Sequence, residues 1–110
     1  MGLSKLEHFT DQFIEESRIF KALGHPARLA IVKLLIEKKE CVGTELNQAI
    51  PLAQPTISQH LRELKEAGII KGRIEGTGVC YCINLETIEK MKLNLLAQFD
   101  DFIENQNCNC

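Results

Sequence analysis

No apolar run in this chain approaches the roughly 20 residues that a membrane-spanning helix requires. The first residues, Met1-Gly2-Leu3-Ser4-Lys5-Leu6-Glu7-His8, lack the apolar core of a secretory leader and include an early acidic group. The expected location is therefore the cytoplasm, with no membrane partner. The chain also lacks the Cys-x-x-Cys spacing of a small thiol reductase. No histidine stands beside a cysteine in sequence, and no phosphate-cradling glycine loop occurs. An enzyme is not expected, nor is an organic cofactor.

A strong excess of one charge is missing too: the formal net charge is −2. The distribution is less neutral than the total. Residues 21–40 sum to +3 and residues 51–80 to +1, whereas residues 1–20 and 85–110 sum to −2 and −3. A basic middle between acidic flanks suits a protein that turns one face to phosphate. At 110 residues the chain is one domain by the usual size range. A domain of this size buries only about 60–65% of its unfolded surface, so a dimer that buries more is expected. Five cysteines in a reducing compartment are not read as a structural disulfide framework; packed thiols, metal ligands or redox groups are the alternatives.

The periodicity of apolar residues lays out the elements. Leu3 to about Leu23 predicts an amphipathic helix capped by Ser4, with Leu6, Phe9, Phe13, Ile14 and Phe20 near helical spacing. Gly24-His25-Pro26 breaks it, and Pro26 opens a second helix to about Lys38 that is apolar almost all round and therefore expected in the core. A short third helix, Thr44 to Ile50, leads through Pro51-Leu52-Ala53 to a fourth, Gln54 to Ala67, stopped by Gly68. The period then changes. Ile69 to Glu75 and Val79 to Asn84 read as strands around the hairpin loop Gly76-Thr77-Gly78. Glu86 to about Asn105 returns to helix, with Asn84 as its cap. The expected fold is mainly α with a β-hairpin wing, a winged helix-turn-helix of order α-α-α-α-β-β-α. Residues 1–105 are expected to form this domain, with DNA binding and dimerisation argued below, and 106–110 a flexible tail carrying cysteines.

The fourth helix carries the chemistry. At 100° per residue, Ile57, Leu61 and Leu64 share one buried stripe. The other side presents Gln54, Thr56, Gln59 and Arg62, with Ser58 and His60 on its flanks. Hydroxyl, amide, imidazole and guanidinium groups in the first turns of such a helix can meet base edges or phosphates. Lys71 and Arg73 share one side of the first strand, where they can meet phosphate.

The run Phe20-Lys21-Ala22-Leu23-Gly24-His25-Pro26-Ala27-Arg28-Leu29 and the run Gln54-Pro55-Thr56-Ile57-Ser58-Gln59-His60-Leu61-Arg62-Glu63-Leu64, followed by Ala67-Gly68-Ile69-Ile70, resemble two signatures of the ArsR/SmtB family of metal-responsive repressors. The resemblance spans roughly residues 15–100. It implies a homodimer joined through its first and last helices, bound to double-stranded operator DNA and released by an inducer. His25 and His60 lie inside these motifs, so packing, capping or phosphate contact is expected of them before metal ligation.

The resemblance also frames the cysteines. The arsenic-sensing branch has Cys-Val-Cys at the start of the third helix, where this chain has Cys41-Val42-Gly43. Cys108 and Cys110 of the tail would raise the count to three thiolates, the number that As(III) or Sb(III) accepts; thiolates suit soft ions generally. The alternative effector is an oxidant or reactive sulfur species acting on the cysteines. Cys80 and Cys82 point to one face of the second strand and are expected to pack against the core. No histidine lies between Glu86 and Asn105, so the zinc site that other members build on the last helix is not expected.

Overall fold

A computed structural model of the chain describes residues 8–107. The first helix among the described residues, α1 (Asp11–Leu23), begins where Thr10 Oγ1 accepts a hydrogen bond from Phe13 N and Asp11 places a carboxylate in the first turn. The sequence expectation put this start near Leu3; Ser4, its expected cap, lies outside the described residues. Residue pair Thr10-Asp11 supplies both capping and dipole complementation, which explains why the helix starts there.

His25 and Pro26 open α2 (Pro26–Lys38): Pro26 occupies the first turn and His25 Nδ1 accepts from Ala27 N at 3.0 Å. Lys39 closes it in the left-handed conformation, φ +57°. Only one side of α2 is buried, through Ile31, Val32 and Leu35, while Leu29 and Ile36 face outward. The all-round apolar composition thus does not make it a fully enclosed helix. It buries one stripe in this core and leaves another uncovered.

Helix α3 (Glu45–Ala49) is a single short turn anchored by Leu46, and Thr44 precedes it without a side-chain cap bond. Helix α4 (Gln54–Glu66) buries Ile57, Leu61 and Leu64 as its period requires, and His60 with them. It ends in a Schellman arrangement: Gly68 at φ +80° lets Gly68 N reach Lys65 O and Ile69 N reach Leu64 O. The chain leaves directly into the wing.

Strands β1 (Ile70–Glu75) and β2 (Gly78–Ile83) pair antiparallel from Ile70↔Ile83 to Glu75↔Gly78. The connection is a two-residue turn, Gly76-Thr77, with Gly76 at φ +62° as such a turn needs in its first central position. Val42 adds a third edge, exchanging both backbone hydrogen bonds with Tyr81 at 2.8 Å. The core lies between α1, α2, α4 and the base of the wing, with Ile31, Leu35, Val42, Leu46, Ile57, Leu64, Ile69 and Ile70 fully enclosed.

The last helical stretch runs as α5 (Leu85–Met91), a π-helical turn (Lys92–Leu96) and α6 (Ala97–Glu104). It is tied back to α1 by the Lys90–Glu15 ion pair at 3.4 Å and by Met91 against the core. Most of its apolar side chains are exposed, among them Leu93, Phe99, Phe102 and Ile103.

Candidate nucleic-acid interface

Burying Ile57, Leu61 and Leu64 turns the opposite side of α4 outward. Gln54, Thr56, Gln59 and Arg62 are exposed and Ser58 is half-buried. They bond only to one another and to neighbours on the same helix. Gln54 Nε2 donates to Ser58 Oγ at 3.2 Å, Arg62 Nη1 to Gln59 Oε1 at 3.0 Å, and Gln59 Nε2 to Glu63 Oε1 at 3.1 Å. Exposed side-chain pairs one turn apart are worth a few tenths of a kcal/mol each, so a nucleic acid can replace them at little cost. The helix N-terminus, whose dipole favours an anion, lies at the same end as Gln54 and Thr56.

His60 departs from the sequence expectation. It is 8% exposed and faces inward, so it is withdrawn from the base-contacting set. Arg28 Nε donates to His60 Nδ1 at 3.1 Å, and Arg28 Nη1 donates to Ala22 O at 3.3 Å. The rings of His25 and His60 lie 4.4 Å apart, tilted by 46°. One guanidinium therefore joins the end of α1, the start of α2 and the middle of α4. Burial lowers the His60 pKa, and the electrostatic influence of His25 and Arg28 lowers it further against a smaller raising effect of Glu63. His60 is a positioning residue for the recognition helix. Periodicity put it on the flank of the polar face, and only the contact with a side chain 32 residues away draws it in. Arg28 stood in the first sequence motif, but nothing local pointed to its partner.

On the wing, Lys71 and Arg73 share one face of β1 and are both exposed. Arg73 lies opposite Cys80 in the register, and its guanidinium is 3.4 Å from Glu75. Ile74, at 82% exposed, and Val79 form an uncovered apolar pair near the tip.

On the face of the hairpin that carries Arg73 the structure places a bond that sequence reasoning did not foresee. Cys41 and Cys80, 39 residues apart, form a disulfide with Cα atoms 5.3 Å apart. The Val42–Tyr81 bridge sets these neighbours side by side, and no spacing rule reveals that. Cys80 is buried, as expected, but as half of a cross-link between the loop before α3 and the wing. Cys82 is half-buried and is the one free thiol among the described residues. Glu75 Oε2 lies 3.3 Å from Cys80 Sγ. A cleft of about 610 Å³ opens over the pair, lined by Glu40, Glu45, Glu75 and Arg73 among others.

The thiolate set for a soft ion is not assembled among the described residues. Cys41 is bonded to Cys80, Cys108 and Cys110 lie outside the described residues, and no group of three His, Cys, Asp or Glu side chains there is arranged to hold a metal.

The pattern of the bacterial regulatory protein, arsR family, matches residues 25–71, from the α2 cap through α3 and α4 into β1. The chain is also 44% identical over 73 residues to an uncharacterized HTH-type transcriptional regulator of Methanocaldococcus jannaschii, covering 66% of this chain and 82% of that one. The chain belongs to the ArsR family. A second relative is the HTH-type transcriptional repressor SmtB of Mycobacterium tuberculosis, 44% identical over 63 residues, or 57% of this chain and 46% of SmtB. The fold is the winged helix-turn-helix. The solution structure of a homodimeric winged helix-turn-helix DNA-binding domain from Mycobacterium bovis superposes with a TM-score of 0.65 and 25% identity, covering 92% of this chain and 97% of that one.

Proposed function

We propose that this ArsR-family chain is a homodimeric repressor of double-stranded operator DNA whose affinity is lowered by an effector acting on Cys41. The polar outer row of α4 is the observation that carries the DNA reading. Gln54, Thr56, Ser58, Gln59 and Arg62 line the outer side of a helix whose other side is locked in the core, with side-chain bonds only within that helix. Lys71 and Arg73 extend that surface on to the wing for phosphate. Two copies related by a two-fold axis would read a palindrome. The homodimeric relative from Mycobacterium bovis supports that assembly.

The disulfide between Cys41 and Cys80 favours an oxidant or reactive sulfur species as effector. The competing reading keeps Cys41 as a thiolate and joins it to Cys108 and Cys110 around As(III) or Sb(III). Its support is the place of Cys41 beside α3 and the soft character of thiolates.

Selection of duplexes from a random pool by the reduced full-length chain tests the DNA reading. The expected consensus is palindromic, with half-sites about one helical turn apart; recovery of no consensus overturns it. Anaerobic challenge of the selected complex then separates the effectors. Release by peroxide or polysulfide with As(III) inert supports oxidation, and the reverse supports the soft ion.

A further inference from the structure

The cross-link sits in an asymmetric environment. Both cysteines line the open cleft, but Cys41 is half-buried whereas Cys80 is only 2% exposed. A small nucleophile can therefore approach Cys41 Sγ from the cleft, and Cys80 Sγ is the sulfur that must leave. Three carboxylates, those of Glu40, Glu45 and Glu75, line the approach against the single guanidinium of Arg73. A cleft lined by one sign of charge concentrates counter-ions and repels co-ions.

From this geometry we propose that the Cys41–Cys80 pair is an exchange site for low-molecular-weight thiols and disulfides that are uncharged or cationic, with Glu75 as its positioning residue. The proposal rests on the thiol-responsive reading above and names its reactant. A thiol RSH attacks Cys41 Sγ; the Cys41–Cys80 bond breaks and a Cys41–S–S–R mixed disulfide forms. The proton lost by the entering thiol ends on Cys80 Sγ. A second RSH then releases RSSR and leaves both cysteines as thiols, so two thiols are oxidised and one disulfide reduced. The reverse sequence closes the pair at the expense of RSSR.

Glu75 acts on the inner sulfur. In the disulfide Cys80 Sγ carries no proton and its 3.3 Å approach to Glu75 Oε2 is a contact. Once reduced, the S–H donates to that carboxylate. A neighbouring anion disfavours the thiolate, and the thiolate is the form that attacks the mixed disulfide and closes the pair again. Glu75 thereby prolongs the open, Cys41-modified state. It also contacts Arg73 on the DNA-facing side of the wing, which places the exchange chemistry one side chain from a phosphate-binding candidate.

The test uses the full-length chain with Cys82, Cys108 and Cys110 replaced by serine, air-oxidised and then opened by cysteamine, a cation, or by mercaptoacetate, an anion of similar size. Rates are divided by those for the same chain in urea, which removes the intrinsic reactivity of each thiol. The expected result is a preference of about tenfold for cysteamine at low ionic strength, shrinking as salt is added, with the adduct on Cys41. Glu75→Gln should reduce that preference and speed closure of the mixed disulfide several-fold. Equal normalised rates, an adduct on Cys80, or absence of a Cys41–Cys80 bond after oxidation overturns the proposal. Duplex binding by the same protein is measured alongside: its loss with exchange intact counts against the repressor reading alone.

Discussion

His60 shows how a single side chain can serve the interface without touching it. Neutral His60 accepts from Arg28 Nε through Nδ1, which leaves its proton on Nε2. Protonating Nδ1 removes that acceptor and sets a cation against Arg28 and the His25 ring. Burial first, and then the electrostatic influence of His25 and Arg28, hold the folded pKa below the ordinary 6.5. Between the folded and unfolded values the unfolded chain binds more protons, so stability falls with falling pH there. It is fully present above about pH 6.5 and declines through the folded pKa. His60→Asn keeps an acceptor near the Nδ1 position and cannot titrate. Urea unfolding between about pH 7 and pH 5.5 should show a falling midpoint for the natural chain and a flatter one for the variant. Parallel curves would mean that another group governs that window.

At the scale of elements, α4 and the wing divide the work of recognition. Arg62 and Arg73 are exposed cations on different elements, and each is assigned a phosphate. Replacing either with alanine should weaken duplex binding and reduce the salt slope of log K by about one unit. An unchanged slope in both variants would remove them from the phosphate contacts. Gln59 is bonded to both Arg62 and Glu63, and under the proposed function its amide is the group that would read a base edge. Gln59→Ala should narrow the affinity ratio between selected and random duplex, whereas an equal loss on both would assign it a non-specific contact. These elements hold their relative pose through backbone bonds: the Schellman turn at Gly68 and the Val42–Tyr81 bridge fasten the wing to α4 and to the loop before α3.

The whole molecule is more extended than its length requires. Its radius of gyration is 16.7 Å, with extents of 54 × 36 × 24 Å, against about 13 Å for a compact chain of this size. The excess goes with a last helical stretch most of whose apolar side chains face outward, and with Phe13 and Phe20 uncovered on α1. An apolar surface of this kind is characteristic of an interface, and the two elements are those the family resemblance leads one to expect in the homodimer. Phe99, 56% exposed on α6, makes few demands on the monomer core. Phe99→Glu should therefore weaken dimerisation by about 10–100-fold while leaving the helical circular dichroism intact. Sedimentation equilibrium reads that shift directly. A variant that dimerises normally would move the interface elsewhere.

Most of the architecture was legible in the order of residues because it depends on local rules. Apolar spacing marks Ile57, Leu61 and Leu64 as one stripe, Pro26 and Gly68 punctuate helices, and the glycine turn at Gly76 closes a hairpin between alternating strands. The outward row of α4 follows from the same spacing. What spacing could not supply are the contacts made across long separations. Arg28 meets His60 over 32 residues, and Cys41 meets Cys80 over 39, each pair joined only when helices and wing have packed. The inward turn of His60 and the pairing of the cysteines are therefore properties of the tertiary structure: a residue's period specifies the face it occupies, but which partner waits on that face is decided by packing.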